Sequence, residues 1–290
     1  MNETIPEIPD FTTHELISAY HDGLREAVDF VQSEVIGTLR GQLDLSQGEK
    51  ATMGIFLRIH ALACSLVRLN NRVDFNAVAG IARTVFELLI DLKLLISPNL
   101  GQHDLDRFFA FSEVDRFRKA KRIVELQEEH PDLVESSLLD SGVRKEFVES
   151  RVKDKSVEKK VELLWGKSSK GKPKWPDHWS GLSIRKRSSD FGPLYEQEYL
   201  EIYSFLSSYA HGGSTAYSGL TEQSLESVYG ISLEYARKLY IEALIICSKV
   251  FSLQKGIESF KQVVAFLEKA PREILIQYEL KKLRETKSSK

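Results

Sequence analysis

The sequence has few of the residues that define several other protein classes. Its 290 residues include only 2 cysteines and 8 prolines. Two cysteines cannot build a disulfide framework or a paired Cys-x-x-Cys zinc site. We expect Cys64 and Cys247, each inside an apolar segment, to be free thiols in a reducing compartment, with one disulfide between them as the alternative. So few prolines argue against an all-β fold, which needs many tight turns.

The sequence also lacks a charge imbalance and a long apolar run. The net charge of −2 gives no general reason to expect nucleic acid or an anionic membrane as a partner. The most apolar runs, VFELLIDLKLLI and LYIEALIICSKVF, are interrupted by charges and fall short of the ~20 residues that a membrane helix needs. The N-terminal MNETIPEIPDF is acidic and has no signal-peptide core. We therefore expect a cytoplasmic protein with no membrane segment.

Established catalytic and metal-binding motifs are absent as well. There is no His-Glu-x-x-His and no Gly-x-Ser-x-Gly, and WGKSSKGK is not a phosphate loop because Val161 stands where that motif needs glycine. His14 and His21 are seven positions apart on one helical face, which we interpret as two surface histidines rather than a metal site. The sequence thus predicts no metal and no cofactor.

The sequence does contain helical periodicity along nearly its whole length. Thr12 with Glu15, and Ser46 with Glu49, form capping-box patterns, and Asp74 can cap a third helix that stops before Pro98. Strand-like alternation is almost absent. The sequence predicts an all-α, multi-helix bundle of roughly eight to ten helices. We expect the helices after Ser46 and Asp74 and the helix at 193–211 to form its centre.

Residues 144–190 differ from the rest because 14 lysines and arginines face only 7 acidic residues there, a net charge of +7. We expect a basic loop at 166–192, between N-terminal helices in 11–165 and C-terminal helices in 193–285, within one domain spanning 1–290. Such a loop could hold a single strand by charge and stacking. The alternative, which we favour, is a solvated loop whose tryptophans pack onto the bundle. The candidate nucleic-acid contacts are Lys167, Lys170, Lys172, Lys174, Arg185 and Arg187.

One candidate site combines two stretches of the chain. In ARTVFELLIDL, Arg83 and Glu87 are four apart and share a face of a strongly apolar helix, so they must be partly buried and paired. An ion pair that only anchors helix packing is the structural alternative, and we favour it because functional pairs are rarer.

The second stretch is FLSSYAHGG, where His211 ends a helix that also carries Tyr203 and Ser208. A helix C-terminus favours the imidazolium and should raise the pKa of His211 toward neutral pH. The functional interpretation is an acid–base or anion-contacting histidine with hydroxyls beneath it. The structural interpretation is a histidine that caps free carbonyls at the helix end, and the sequence leaves both interpretations open.

IARTVFELLIDLKLL together with YSFLSSYAHGG resembles a widespread bacterial helical family of unknown function. That family pairs an Arg-x-x-x-Glu helix with a later Tyr/Ser-x-x-x-His-Gly segment, over roughly residues 50–250 here. The resemblance implies an all-α fold and a bacterial origin but no settled activity. A looser resemblance is to HEPN-type helical ribonucleases of toxin and phage-defence systems. Their arginine, four to six residues, then histidine signature is absent, so Arg83 would have to replace the local arginine.

Our leading functional hypothesis is a bacterial defence or stress protein that cleaves RNA without a metal. His211 would act as acid or base, Arg83 would stabilise charge on the phosphate, and Glu87 would orient the guanidinium, with the hydroxyls of Tyr203 and Ser208 nearby. The alternatives are a non-catalytic scaffold for a protein partner from the same operon, and a nucleic-acid-binding module without chemistry. A homodimer remains open.

Overall fold

The chain is all-α. The structure is a computed structural model that describes residues 13–42, 44–131, 146, 148–152, 155–210, 221–257, 260–267 and 269. Within these residues it contains ten helices and no strand, apart from an isolated bridge between Lys167 and Pro173. This confirms the predicted fold class. His211 and Thr12 lie outside the described residues, so the predictions made for them stay predictions.

Two of the ten helices are each interrupted by a π turn. The first runs through α1 (Thr13–Phe30), the π turn Val31–Val35 and α2 (Ile36–Arg40). The second runs through α8 (Pro193–Glu198), the π turn Tyr199–Tyr203 and α9 (Ser204–Ala210). The remaining helices are α3 (Gln47–Leu66), α4 (Phe75–Leu95), α5 (Gln102–Glu129), α6 (Ser156–Trp165), α7 (Ile184–Asp190), α10 (Glu222–Val250), α11 (Leu253–Gly256) and α12 (Phe260–Leu267).

The residues divide into two compact units, one formed by 1–97 with 188–290 and the other by 98–187. In the first unit, α4 packs against α3, α9 and α10, while α10 also packs against α1 and α3. The predicted central helices do pack together, and the structure adds α10, which contacts α4 more extensively than any other helix does. The prediction of a single domain remains a prediction.

The core of this first unit is built around α4. Most of its side chains are buried, and Phe86, Leu89, Ile90 and Leu92 are fully so. Burying apolar area on nearly every side of one helix requires neighbours on nearly every side. Tyr240 of α10 is also fully buried.

Of the predicted helix starts, the one at Ser46 is confirmed in detail and the one at Asp74 differs in its capping. Ser46 and Glu49 form a complete capping box, in which the Ser46 hydroxyl accepts from the Glu49 amide and the Glu49 carboxylate accepts from the Ser46 amide. Asp74 does precede α4, but its side chain makes no capping hydrogen bond. The reason is local: residues Arg72–Asp74 form a 3₁₀ turn, so the chain enters α4 already coiled. The expectation of a side-chain cap at Asp74 was wrong.

The second unit is organised by α5, α6 and the non-helical stretch that follows. Its core contains Phe117 of α5 and Trp165 of α6, and Trp175 packs against that core. The Trp165 indole donates to the Trp179 carbonyl at 2.9 Å, and Trp179 is itself buried. The three tryptophans of the basic segment therefore pack inward, as the favoured interpretation predicted. The non-helical stretch ends at Ser183 and α7 begins at Ile184, so the end of the predicted loop at 166–192 is helical.

None of the helices in the described part of the chain is long and apolar enough to cross a bilayer.

A first prediction concerns the buried ring of Phe86, which contacts the rings of Tyr203 and Tyr235 at centroid distances of 5.6 and 6.1 Å. Phe86→Ala should lower the free energy of unfolding by about 3–5 kcal/mol, because it removes buried area and leaves a cavity. Urea denaturation measures this change. Val73→Ala is the control, since Val73 is 67% exposed and its truncation should cost at most ~0.5 kcal/mol. Equal losses in both variants would contradict a core centred on α4.

Candidate functional site

Arg83, Glu87 and Tyr203 meet on one side of α4. The phenol of Tyr203 accepts a hydrogen bond from Nε of Arg83 at 3.0 Å and donates one to Oε1 of Glu87 at 2.7 Å. The same carboxylate oxygen lies 3.2 Å from a terminal nitrogen of Arg83. Because Arg83 and Glu87 are one helical turn apart, a single hydroxyl can bridge them. We call these three residues the bridged triad.

The environment of the triad fixes its charges. Burial raises the pKa of Tyr203, its hydrogen bond to Glu87 raises it further, and Arg83 opposes both, so that the pKa is about 12. Burial lowers the pKa of Arg83, but Tyr203 and Glu87 outweigh this effect and leave it above its ordinary value. At neutral pH the triad therefore holds a neutral phenol beside a permanently charged guanidinium.

The triad lies at the edge of the core rather than inside it. Tyr203 is 7% exposed, whereas the side chains of Arg83 and Glu87 keep 27% and 36% of their surface. The guanidinium carbon also lies 5.1 Å from the centre of the Tyr203 ring, a cation–π contact. The phenol is thus a buried support for a guanidinium that reaches solvent.

A π turn holds Tyr203 in this place. Residues Tyr199–Tyr203 form one wide turn, which the Ser204 amide closes by donating to the Tyr199 carbonyl. The Ser204 hydroxyl donates to the same carbonyl at 3.0 Å. The rings of Tyr199 and Tyr203 stack with centres 5.1 Å apart. Single π turns within α-helices occur frequently at functional sites, because they redirect a side chain at the expense of regular hydrogen bonding. Helical periodicity alone does not predict this turn.

A second polar cluster, which the sequence analysis missed, lies where α4, α8 and α10 meet. The Glu242 carboxylate accepts from Lys93 at 2.6 Å and from the Tyr195 phenol at 2.5 Å, and the Lys93 ammonium lies 4.5 Å from the centre of the Tyr195 ring. The Tyr235 phenol approaches Glu198 at 3.4 Å. We call these five residues the acidic cluster. The one sequence feature that could have indicated this cluster is Glu242, a single glutamate in the apolar run LYIEALIICSKVF.

The acidic cluster changes the pKa of one of its carboxylates, that of Glu198. Burial raises the pKa of Glu198, and the charge of Glu242 raises it further, while Lys238, Tyr235 and Lys93 act in the opposite direction. Burial also raises the pKa of Tyr195, and its hydrogen bond to Glu242 adds to that effect. The folded protein therefore holds a proton on Glu198 more tightly than the unfolded chain does.

The two other candidate catalytic residues, Ser208 and His211, are not part of the bridged triad. The Ser208 hydroxyl donates to the carbonyl of Ser204 at 3.2 Å, an ordinary bond to its own helix. The neighbouring Ser207 hydroxyl is buried and makes no hydrogen bond to any residue that the structure describes. His211 lies outside the described residues, so its predicted place beside Arg83 stays a prediction.

The candidate nucleic-acid contacts divide into exposed and buried groups. Lys167 pairs with Glu162 at 3.2 Å on the surface, and Arg187 is only 4% exposed. A side chain so buried does not present its charge to a strand, so we leave Arg187 out of any binding surface. The remaining predicted contacts are exposed: Lys170, Lys172, Lys174 and Arg185.

The cysteines are free, as predicted. Cys64 lies 3.6 Å from Nε2 of His60, but burial raises the pKa of the thiol and lowers the pKa of His60. His60 also bonds to the Tyr240 phenol at 2.7 Å and contacts Gln32 at 3.1 Å. A neutral thiol beside a neutral, fully engaged imidazole is a packing contact and not an activated nucleophile.

Among the described residues, no group of three or more His, Cys, Asp or Glu side chains is arranged to hold a metal ion.

The fold and these clusters define an all-α protein whose apolar central helix carries charged side chains engaged by tyrosines. The chain belongs to a family of unknown function, DUF5677, which matches residues 49–227. No curated protein and no solved structure matches the chain. The family match confirms the resemblance to a helical family of unknown function, and it includes the bridged triad. It gives no indication of a HEPN-type ribonuclease.

The bridged triad yields a prediction about stability. Tyr203→Phe removes the hydroxyl that serves both Arg83 and Glu87, and should lower the free energy of unfolding by about 1–2 kcal/mol. Denaturant melts measure the loss. Tyr199→Phe is the matched control, because within the described residues that hydroxyl makes no hydrogen bond, and the change should stay within ~0.5 kcal/mol. A Tyr203→Phe protein as stable as Tyr199→Phe would mean that the bridge contributes nothing.

The acidic cluster yields a prediction about pH. The raised pKa of Glu198 means that stability from its protonated form is present below about pH 4 and lost as pH rises through the folded-state pKa. Glu198→Gln avoids that loss and can still accept from Tyr235. The variant should therefore be more stable than wild type at pH 7, with the difference shrinking toward pH 4. Glu201→Gln, an exposed carboxylate on the same helix, should show no such trend. A gain independent of pH would contradict the burial of charge.

Proposed function

We propose that this protein cleaves single-stranded RNA without a metal and acts in a bacterial defence or stress response. The observation that carries the proposal is the meeting of Arg83 with Tyr203, 120 residues away in sequence, at 3.0 Å. This contact fixes a permanently charged guanidinium at the edge of the core. A fixed cation is what a phosphoryl transition state needs, because negative charge accumulates on the phosphate oxygens there.

The roles within the site follow from exposure and charge. Arg83 reaches solvent and would contact the phosphate, whereas Glu87 and Tyr203 are positioning residues that fix the plane of the guanidinium. His211 would take the proton from a ribose 2′ hydroxyl as that oxygen attacks phosphorus. The bond from phosphorus to the 5′ oxygen then breaks, and the 5′ oxygen takes a proton from water. The products are a 2′,3′-cyclic phosphate and a 5′ hydroxyl.

A different observation favours a second candidate function, a scaffold that binds a protein partner or a second copy of the chain. Three large apolar side chains on the helix of α8 and α9 are exposed, Leu194 by 61%, Leu200 by 51% and Phe205 by 36%. Exposed apolar side chains on one helix suit a protein contact. In this case the bridged triad would only lock α4 to that helix.

The exposed basic residues support a third candidate, a nucleic-acid-binding module without chemistry. Lys170, Lys172 and Lys174 offer charge to a phosphate backbone. The tryptophans offer no stacking surface there, since Trp165 and Trp179 are buried and Trp175 stacks on Phe117 with ring centres 6.0 Å apart. This candidate predicts affinity for single strands that falls steeply with salt and survives replacement of Arg83.

RNA cleavage by the full-length protein tests the leading proposal. Wild type should cut a fluorescent single-stranded RNA in the presence of EDTA and leave cyclic phosphate ends. His211→Ala and Arg83→Gln should each reduce the rate by at least ~100-fold, in the range typical for loss of an acid–base group or a charge-stabilising donor. His103→Ala is the control, because His103 is exposed on α5 and outside the site. Expression of wild type, but not of His211→Ala, should arrest bacterial growth.

Melting temperatures measured on the same proteins separate the candidates. Lost cleavage with an unchanged melting temperature in His211→Ala supports catalysis. No cleavage by wild type, combined with a large drop in melting temperature for Arg83→Gln, overturns the proposal and favours the scaffold.

A further inference from the structure

Apart from the bridged triad, the first unit contains a polar cavity of about 610 Å³ between α1, the segment before α4, and α10. We propose that this cavity is a binding site for a phosphorylated small molecule. Its wall from α1 is a stripe of polar side chains at helical spacing, and its opposite wall comes from residues 70–72 and α10. Eleven residues line it, and the argument uses His21, Arg25, Asn70, Asn71, Arg72 and Tyr229.

His21 is the observation that points to a ligand. The sequence analysis interpreted His21 as a surface histidine, and this was wrong, because His21 is only 7% exposed. Its Nδ1 faces a terminal nitrogen of Arg25 at 3.4 Å, so Nδ1 is the acceptor and Nε2 carries the hydrogen. That buried Nε2 makes no hydrogen bond to any described residue, although the nearby Val67 carbonyl raises the pKa of the ring. Burying an unsatisfied donor is costly unless a bound group accepts from it.

The charge state of His21 fits a donor role at neutral pH. Burial lowers the pKa of His21, the charge of Arg25 lowers it further, and Asp22 only partly opposes them. The imidazole is therefore neutral and presents one N–H. Positive charge in the cavity comes instead from the guanidiniums of Arg25 and Arg72. Guanidiniums bind phosphate oxygens through paired, charge-assisted hydrogen bonds.

The existing pairing of Arg25 is weak enough to be exchanged. Its partner Asp22 lies at 3.6 Å, and the two side chains are 50% and 55% exposed, so the pair contributes little in water. The cavity also contains Glu226, on the α10 side. A ligand with an anionic end and a neutral polar body fits this division, with the phosphate toward α1 and Arg72 and the body toward α10.

The opposite wall is fixed in place before any ligand binds. The Tyr229 phenol donates to the Leu69 carbonyl at 2.5 Å, which ties the segment before α4 to α10. The Asn71 side chain accepts from the Val73 amide at 3.1 Å and holds the turn that carries Asn70 and Arg72. A preformed wall lowers the entropic cost of binding. A volume of about 610 Å³ exceeds what a lone phosphate fills and is typical of small-molecule sites.

Binding to the full-length protein tests this site with four probes: inorganic phosphate, AMP, glucose 6-phosphate and adenosine. Calorimetry should detect AMP or glucose 6-phosphate, whichever body the cavity accepts, with at least ~10-fold higher affinity than phosphate or adenosine. Arg25→Gln and Arg72→Gln should each weaken that binding by roughly 10- to 100-fold, because each removes a charge-assisted contact. Arg58→Gln, an exposed arginine outside the cavity, is the matched control and should bind as wild type does.

The outcomes separate this site from the proposed RNA site. Binding that survives Arg83→Gln and fails in Arg25→Gln supports the cavity, whatever the RNA experiment shows. Binding that fails in Arg83→Gln and survives in Arg25→Gln places the ligand at the bridged triad and overturns the inference. No binding of any probe, or equal binding of phosphate and both phosphate esters, also overturns it. A Tyr229→Phe protein, which frees the wall but keeps every charge, should bind more weakly without losing selectivity.

Discussion

The structure depends on one constraint: α4 must be buried on most of its sides while carrying charged side chains that burial penalises. Leu89, Ile90 and Leu92 supply the apolar area that drives packing against α3, α9 and α10. Arg83 and Lys93 lie on the same helix and need partners because an unpaired charge at the edge of a core is destabilising. Tyr203 and Glu242 provide those partners from two other helices. Helix packing and charge pairing thus specify the same arrangement.

Tyrosine is well suited to these contacts because it joins an apolar ring to one polar atom. The ring of Tyr203 packs against Phe86 in the core, while its hydroxyl reaches the charged edge of α4. Tyr195 also uses both parts of its side chain in the acidic cluster, where the Lys93 ammonium lies over its ring and Glu242 accepts from its hydroxyl. The π turn begins four residues after Tyr195 and ends at Tyr203, and it adds a residue without ending the helix, so that one helix contributes to both clusters. The wider turn gives up the regular α-helical hydrogen bonds at this point of the helix.

Much of this fold follows from sequence because helices are local. The period of apolar residues predicts α3, α4 and the helix beginning at Pro193, and the capping box at Ser46 sets one boundary. The pairing of Arg83 with Glu87 follows from spacing alone. The Tyr203 contact does not, because it joins residues 120 apart in sequence and depends on how two helices cross. The acidic cluster was missed for the same reason, since its members come from three helices and none forms a motif.

The errors of the sequence analysis have a common physical origin. His21 shares a helical face with the exposed His14, which predicts a surface position, yet it is buried in a cavity wall beside residues that are distant in sequence. The residue type of Asp74 predicts a helix cap, but the chain enters α4 through a 3₁₀ turn and the Asp74 side chain makes no capping hydrogen bond. For His21, neighbours in space outweigh the local sequence pattern. For Asp74, the preceding turn does so.

The bridged triad can have a structural and a chemical role at once, because both roles require a fixed orientation of the Arg83 guanidinium. A structural lock requires the guanidinium to hold one orientation, and so does a phosphate-binding arginine. Tyr203 on Nε and Glu87 on a terminal nitrogen define the plane of the guanidinium fork without removing it from solvent. A lysine could satisfy Glu87 but has no planar fork for the phenol to orient. The planar fork serves both roles, because it can be oriented by the phenol and can also offer paired N–H donors to a phosphate. The proposed RNA cleavage would use the part of this oriented guanidinium that reaches solvent, which the structural lock leaves exposed.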